Sequence, residues 1–126
     1  MKNTALVIFL DSKGLVLLQQ KTYDAPNFPG VWSLFGGAIE EGETALEAVK
    51  RETAEELGVQ FSVTDFTSFK EFKDGERTRF VFIARVNDDV VLSLREGRGL
   101  GYFNKKEIEY LEIPAHIRAI LSVYFA

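Results

Sequence analysis

Between two groups of β-branched and phenylalanine-rich runs lies one segment, residues 45–57, whose periodicity and two ends are those of a helix. Thr44 stands at the N-cap with Glu47 three positions on, the pair in which hydroxyl and carboxylate each accept a backbone N–H from the first turn. Gly58 supplies a residue free to turn left-handed and close the last one. Leu46, Val49, Thr53 and Leu57 recur at 3.6-residue spacing, so the helix presents one narrow stripe to a core.

The rest of the chain predicts the sheet that this stripe packs on. Residues 4–10 and 15–20, joined by Asp11-Ser12-Lys13-Gly14, read as a hairpin, and 61–72 with 77–86 around Asp74-Gly75 read as another. Residues 22–30 concentrate Pro, Gly, Asn and Asp and read as a loop; Val31 to Phe35 follows as a short strand. Strands near 90–94 and 100–103 flank the Gly-rich stretch from Arg95 to Gly99. Asn104 caps a helical turn at 105–109, and Pro114 opens a terminal helix that runs to about Tyr124. Hairpins mixed with helices predict an α+β fold around a mixed sheet rather than a regular βαβ winding, with the two longer helices on opposite faces.

At 126 residues, 46% hydrophobic and 27% charged, the chain is expected to form one domain, 1–126, around one core. With no cysteine there is no disulfide, thiolate metal site or cysteine nucleophile, so a metal has to sit on oxygen or on the lone histidine, His116. The N-terminal apolar run turns polar at Asp11, lacks a small-residue cleavage site and reads as a first strand. No stretch approaches the ~20 apolar residues of a membrane span, and a cytoplasmic location without membrane association is expected. A net charge of −4 argues against stable nucleic-acid binding. A polyphosphate substrate would need a cation as intermediary.

Glu52, Glu55 and Glu56, spaced i, i+3 and i+4, fall within a sector of about 100° beside the core stripe. Ala45 and Ala48, above them on the wheel, are expected to leave open space over the carboxylates. Each like-charge pair costs a helix ~0.2–0.5 kcal/mol, which a divalent cation removes. Hard oxygen ligands suit Mg²⁺, with Mn²⁺ as the substitute. By spacing alone, a solvated acidic helix face explains the same residues.

The longer pattern narrows that choice. Gly37, five residues, Glu43, seven residues, Arg51-Glu52, two residues, Glu55-Glu56, one residue, Gly58 and an apolar Val59 together resemble the Nudix box. Two positions depart from it: Thr53 replaces an aliphatic residue, and Phe35 stands where many members have proline before the Gly-Gly pair. The resemblance implies an α/β/α sandwich with a central mixed sheet and Mg²⁺-dependent hydrolysis of a diphosphate linkage in a nucleoside diphosphate derivative. It implies Glu52 and Glu56 as principal metal ligands, Glu55 as a further ligand or holder of metal-bound water, and a carbonyl near Gly37 able to contact the ion. Arg51 would position the carboxylates, and Gly36 and Glu43 would orient the loop. The general base would be a box glutamate, Glu55 or Glu56, or a later loop acid, for which Glu96 is the candidate.

Outside the box, Lys21, Arg77, Arg79 and Arg98 are candidates to offset phosphate charge, and Arg77 and Arg79 alternate onto one strand face. Tyr23, Phe28, Trp32 and Phe80 are candidates to stack on a base, with Phe28 carried forward as a substrate contact. Solvated cations and core aromatics are the plainer readings of both sets. His116, in the first turn of the last helix, is expected to serve the surface or helix packing. The expected partner is a small nucleotide, first a nucleoside triphosphate giving monophosphate and pyrophosphate. Nucleotide sugars, ADP-ribose and dinucleoside polyphosphates stay open, as does a homodimer. The rival class is a non-catalytic nucleotide-sensing module, whose usual sign, loss of box carboxylates, is missing here.

Overall fold

The computed structural model describes residues 2–126. Its elements in chain order are β1 (Thr4–Leu10), β2 (Val16–Gln20), β3 (Trp32–Ser33), β4 (Phe35–Ala38), α1 (Ala45–Leu57), β5 (Phe66–Asp74), β6 (Arg77–Arg85), β7 (Gly99–Phe103), α2 (Lys105–Ile108) and α3 (Ala115–Phe125). All seven strands belong to one mixed sheet.

β1 is its axis. One edge pairs in parallel with β6 along its whole length, from Thr4 opposite Arg79 to Leu10 opposite Arg85. The other edge is divided: Thr4 to Val7 pair antiparallel with β4, while Phe9 and Leu10 pair with β2. The sheet therefore forks. β2 continues past the fork to pair with β3 at Gln19 and Gln20 and, on its far edge, with β7. β5 closes the other side against β6, with an irregularity between Ser68 and Lys70.

Because side chains alternate across a strand, β1 feeds two cores. Ala5, Val7 and Phe9 join Val49 and Leu57 of α1 with Phe35, Phe61, Phe66 and Phe82. Leu6, Ile8 and Leu10 join Ile117, Ile120 and Leu121 of α3. The two longer helices thus cover opposite faces, as the sequence predicts, and this is the α+β sandwich with a mixed sheet. No described helix is long and apolar enough to cross a membrane.

The ends of α1 follow the sequence closely. Glu47 N donates to Thr44 Oγ1 at 3.1 Å, Thr44 N donates to Glu47 Oε1 at 2.8 Å, and Gly58 is left-handed at φ 69°. Thr44→Ala is expected to cost ~1 kcal/mol and lower the melting temperature by roughly 3–6 °C, with turnover unchanged; a thermal melt followed by circular dichroism checks it.

Four local expectations are corrected. Residues 90–94 form no strand. Val90 and Leu92 do pack on the α1-side core, but the backbone serves the helix instead. Ser93 N donates to Leu57 O at 3.0 Å and Arg95 N to Glu56 O at 2.9 Å, occupying carbonyls that the end of a helix leaves free. Val31 to Phe35 is not one strand but two, β3 and β4, broken at Leu34 and continuing through Gly36 and Gly37. Residues 63–65 make a single 3₁₀ turn, held by Ser62 N donating to Asp65 Oδ2 at 2.8 Å, so that β5 begins only at Phe66. Ala48 is fully buried and Ala45 packs beside it in the α1-side core, so neither leaves space above the carboxylates.

Candidate functional site

The fork in the sheet receives the end of α1. Glu56 enters it with only 5% of its surface exposed, and both carboxylate oxygens are held: Oε1 accepts Gly36 N at 3.0 Å and Oε2 accepts Gln19 Nε2 at 3.2 Å. Among the described residues no cation forms an ion pair with it. Burial pushes its pKa up to about 8, the two hydrogen bonds oppose the rise, and the charges of Glu52 and Glu96 add to it.

Glu52, one turn earlier, is partly buried and also raised, first by burial and then by Glu55 and Glu96, against the pull of Arg51. Its carboxylate lies against Gly37, where an added Cβ would stand 2.5 Å from Glu52 Cδ. Only glycine leaves that carboxylate its place.

Arg51 ties this arrangement to the preceding loop. Its Nε and Nη2 donate to the two oxygens of Glu43 at 2.7 and 2.9 Å, Nη2 also donates to Ala38 O at 3.1 Å, and Nη1 donates to Glu52 Oε1 at 3.0 Å. The bidentate guanidinium, with Glu40 N donating to Glu43 as well, holds the Glu43 carboxyl down at about 2, while Glu43 raises Arg51. Glu55 stands on the outer side of Arg51, 3.5 Å from Nη1 and half exposed, beside Glu47, Lys50 and Gln60. The three box glutamates therefore do not meet in one place. The cleft gathers Glu52, Glu56 and Glu96, and Glu55 stays outside it.

That cleft has a volume of about 490 Å³ and a second, basic side made by Lys21, Arg77, Arg79 and His116. Arg77 and Arg79 reach it from one face of β6. Arg79 is buried and donates to Asp74 Oδ2 at 3.2 Å; Arg77 Nε donates to Lys2 O at 3.0 Å and Lys21 Nζ to Asn27 O at 3.2 Å. Phe28 stands half exposed beside His116, ring centroids 5.4 Å apart, with Lys21 Nζ 6.0 Å from its ring.

Phe28 itself does not line the cleft, and neither do the other aromatic candidates. Trp32 packs edge-on against Phe103 at 5.0 Å, Phe80 belongs to the α1-side core, and the exposed Tyr23 is covered by Arg98, whose guanidinium sits 4.2 Å from the ring centroid.

Two cleft residues were not legible as such. His116 does more than pack: it lies beside Phe28 and also lines the cleft, and burial followed by the charges of Arg79, Arg77 and Lys21 lowers its pKa. Gln19 is unmarked within the strand expected over residues 15–20. Its one sequence signal is that it follows Leu17 on the α1-facing row of β2, where an apolar residue would be expected.

No described group of three His, Asp or Glu side chains is drawn together as a ready metal cage. The donors nonetheless suit a divalent ion of the Mg²⁺ kind, which is usually held by one or two carboxylates together with substrate phosphates. Glu56 and Glu52 supply those carboxylates; Arg51 offsets part of the charge of Glu52, while Glu56 is raised by the charges of Glu52 and Glu96 and forms no ion pair among the described residues.

A helix that presents carboxylates to a forked mixed sheet, with an arginine-stapled loop before it, defines a family, and the family profile for the NUDIX domain matches residues 1–121. The chain belongs to the NUDIX domain family. Among its relatives is the nucleoside triphosphatase NudI of Escherichia coli, 38% identical over 78 residues, which are 62% of this chain and 55% of that protein. The match thus spans little more than half of that relative's length. The fold is shared with a MutT structure from work on the Aliivibrio salmonicida and Vibrio cholerae proteins, at TM-score 0.80 and 19% identity over 96% of this chain and 94% of that one. It is shared too with a MutT NUDIX hydrolase of Burkholderia pseudomallei, at TM-score 0.76 and 22% identity over 96% and 95%.

Proposed function

We propose that the chain is a Mg²⁺- or Mn²⁺-dependent pyrophosphohydrolase of nucleoside diphosphate derivatives, with nucleoside triphosphates, cleaved to monophosphate and pyrophosphate, as the first substrates to test. The observation that carries this reading is the two-sided cleft, in which Glu52, Glu56 and Glu96 face Lys21, Arg77 and Arg79. A polyphosphate needs both: cationic side chains for part of its charge, and carboxylates to hold an ion for the rest. The name of the NudI relative favours triphosphates over nucleotide sugars or ADP-ribose.

In this reading Glu52 and Glu56 hold the ion, with the backbone at Gly37 close by. A divalent ion bound there would neutralise phosphate charge and make water acidic enough to attack phosphorus near neutral pH. Glu96, on the loop across from them, is placed to accept the proton of the attacking water, a contribution of ~10²–10⁴-fold. Arg51 orients Glu52 from the loop side, and Gly36 and Glu43 fix that loop. Glu55, which reaches Arg51 and not the cleft, is assigned to balancing the arginine. His116, which lines the cleft, and Phe28 beside it offer the base a pair of rings.

The test is a panel of nucleoside triphosphates, nucleotide sugars and ADP-ribose with Mg²⁺ or Mn²⁺, scoring pyrophosphate against phosphate release. Turnover is expected to vanish with a chelator and return with added metal. Hydrolysis that survives exhaustive metal removal would overturn the reading, and tight nucleotide binding without turnover in any metal would favour the sensing module.

A further inference from the structure

Gln19 lies in the fork itself, 7% exposed, on the row of β2 that faces α1. A buried amide is costly unless its donors and acceptors are used. Here one nitrogen serves two partners: Nε2 donates to Leu34 O at 3.2 Å, at the corner between β3 and β4, and to Glu56 Oε2 at 3.2 Å. The first bond fixes the amide to the backbone of one arm of the fork. The second aims it at the buried carboxylate. At its other end Oε1 is 3.7 Å from where a Cβ on Gly97 would stand, next to Glu96, and the same loop is tied to β2 by Arg98 N donating to Gln20 O at 2.8 Å.

We infer that Gln19 is a positioning residue, which orients the Glu56 carboxylate so that its free electron pairs face the cleft. Glu56 has two grips, one on each oxygen, and only the one from Gly36 is backbone. With Gln19 removed the carboxylate can rotate about its last bond while still accepting from Gly36. The effect then falls on the use of the metal and on turnover rather than on nucleotide affinity, since the basic side of the cleft is untouched. This inference rests on the proposed role of Glu56 as a metal carboxylate.

Gln19→Met keeps the volume and deletes both bonds; Gln19→Asn keeps an amide one methylene too short to reach both acceptors, and serves if the first variant does not fold. Loss of an outer partner of a metal ligand typically costs ~10–100-fold. The expected result for Gln19→Met is a kcat lower by that factor, a nucleotide KM within about threefold of the parent, and a smaller rise in melting temperature on adding Mg²⁺ or Mn²⁺ alone. Gln19→Asn should fall between the two. In the Glu56→Gln background, Gln19→Met should cost nothing further, because the group it acts through is gone. Unchanged kcat and metal response in a folded Gln19→Met, or the same loss on top of Glu56→Gln, would overturn the inference. The metal-induced shift is read without any substrate, so a wild type that responds to Mg²⁺ yet hydrolyses no nucleotide would refute the proposed function and still leave Gln19 testable.

Discussion

Glu56→Gln is expected to lower kcat by at least ~10²-fold and, in the absence of metal, to make the protein more stable at alkaline pH than the parent. The stability part follows from the burial of Glu56. Its pKa is 4.5 in an unfolded chain and about 8 in the fold, so folding favours the protonated form. A raised folded-state pKa contributes stability that is fully present below pH 4.5 and is lost as the pH climbs through about 8. Metal-free parent should therefore weaken across this window, and the ceiling set by 1.36 kcal/mol per pKa unit is roughly 3–5 kcal/mol. Gln removes the charge but supplies one acceptor where two donors, Gly36 N and Gln19 Nε2, now converge. One of those bonds is lost, and the net gain above pH 8 should be ~1–2 kcal/mol. Melting curves in chelator at pH 5 and pH 8.5 read this directly: the parent should drop by more than the variant, which keeps only the smaller contributions of Glu52 and His116. A parent whose melting temperature is the same at both values would show that Glu56 is not the buried acid described.

Gly36→Ala is the second large effect, and it should destroy the fold rather than the chemistry. Gly36 has φ 132°, a conformation that L side chains rarely adopt, and it sits in β4 opposite Leu6 of β1. An added Cβ would be driven into the carbonyl oxygen of Ala5 and to 2.8 Å from Leu6 Cα. Both obstacles are backbone at the axis of the sheet, where nothing can swing aside. A loss of at least ~3 kcal/mol is expected, a large part of the stability of a protein this size. Gly37→Ala provides the contrast. Its Cβ would meet only the end of the Glu52 side chain, so the protein should still melt cooperatively near the parent temperature while turnover falls with the displaced carboxylate. Circular dichroism separates the two neighbours; equal melting temperatures would contradict the forked pairing of β1 with β4.

The two departures from the Nudix box have local explanations. Thr53 is fully buried where an aliphatic residue is usual, and its hydroxyl donates to Val49 O at 2.8 Å, satisfied within its own helix. Its methyl is left to the core. Phe35, in place of proline, is fully buried and meets Phe9 edge-on at 5.8 Å, contributing a large ring to the α1-side core.

What the sequence determined by itself was local. The capping box, the closing glycine, the hairpins and the spacing of the box carboxylates depend on backbone geometry within a few residues, and periodicity reports such geometry faithfully. The apolar run at 90–94 was local too, but it recorded that Val90 and Leu92 are packed on the core and not what the backbone bonds to. Tertiary structure decided everything that depends on partners far along the chain. Glu55 and Glu56 are adjacent and chemically alike, yet one is half exposed and the other is 5% exposed, because the fork of β1 opens on one side of the helix only. Gln19 reaches Glu56 across 37 positions, and His116 joins Arg77 and Arg79 only because α3 folds back over β6. A helical wheel gives the angle of a side chain about its own axis; whether that direction leads to water, core or cleft is set by the strands packed against it.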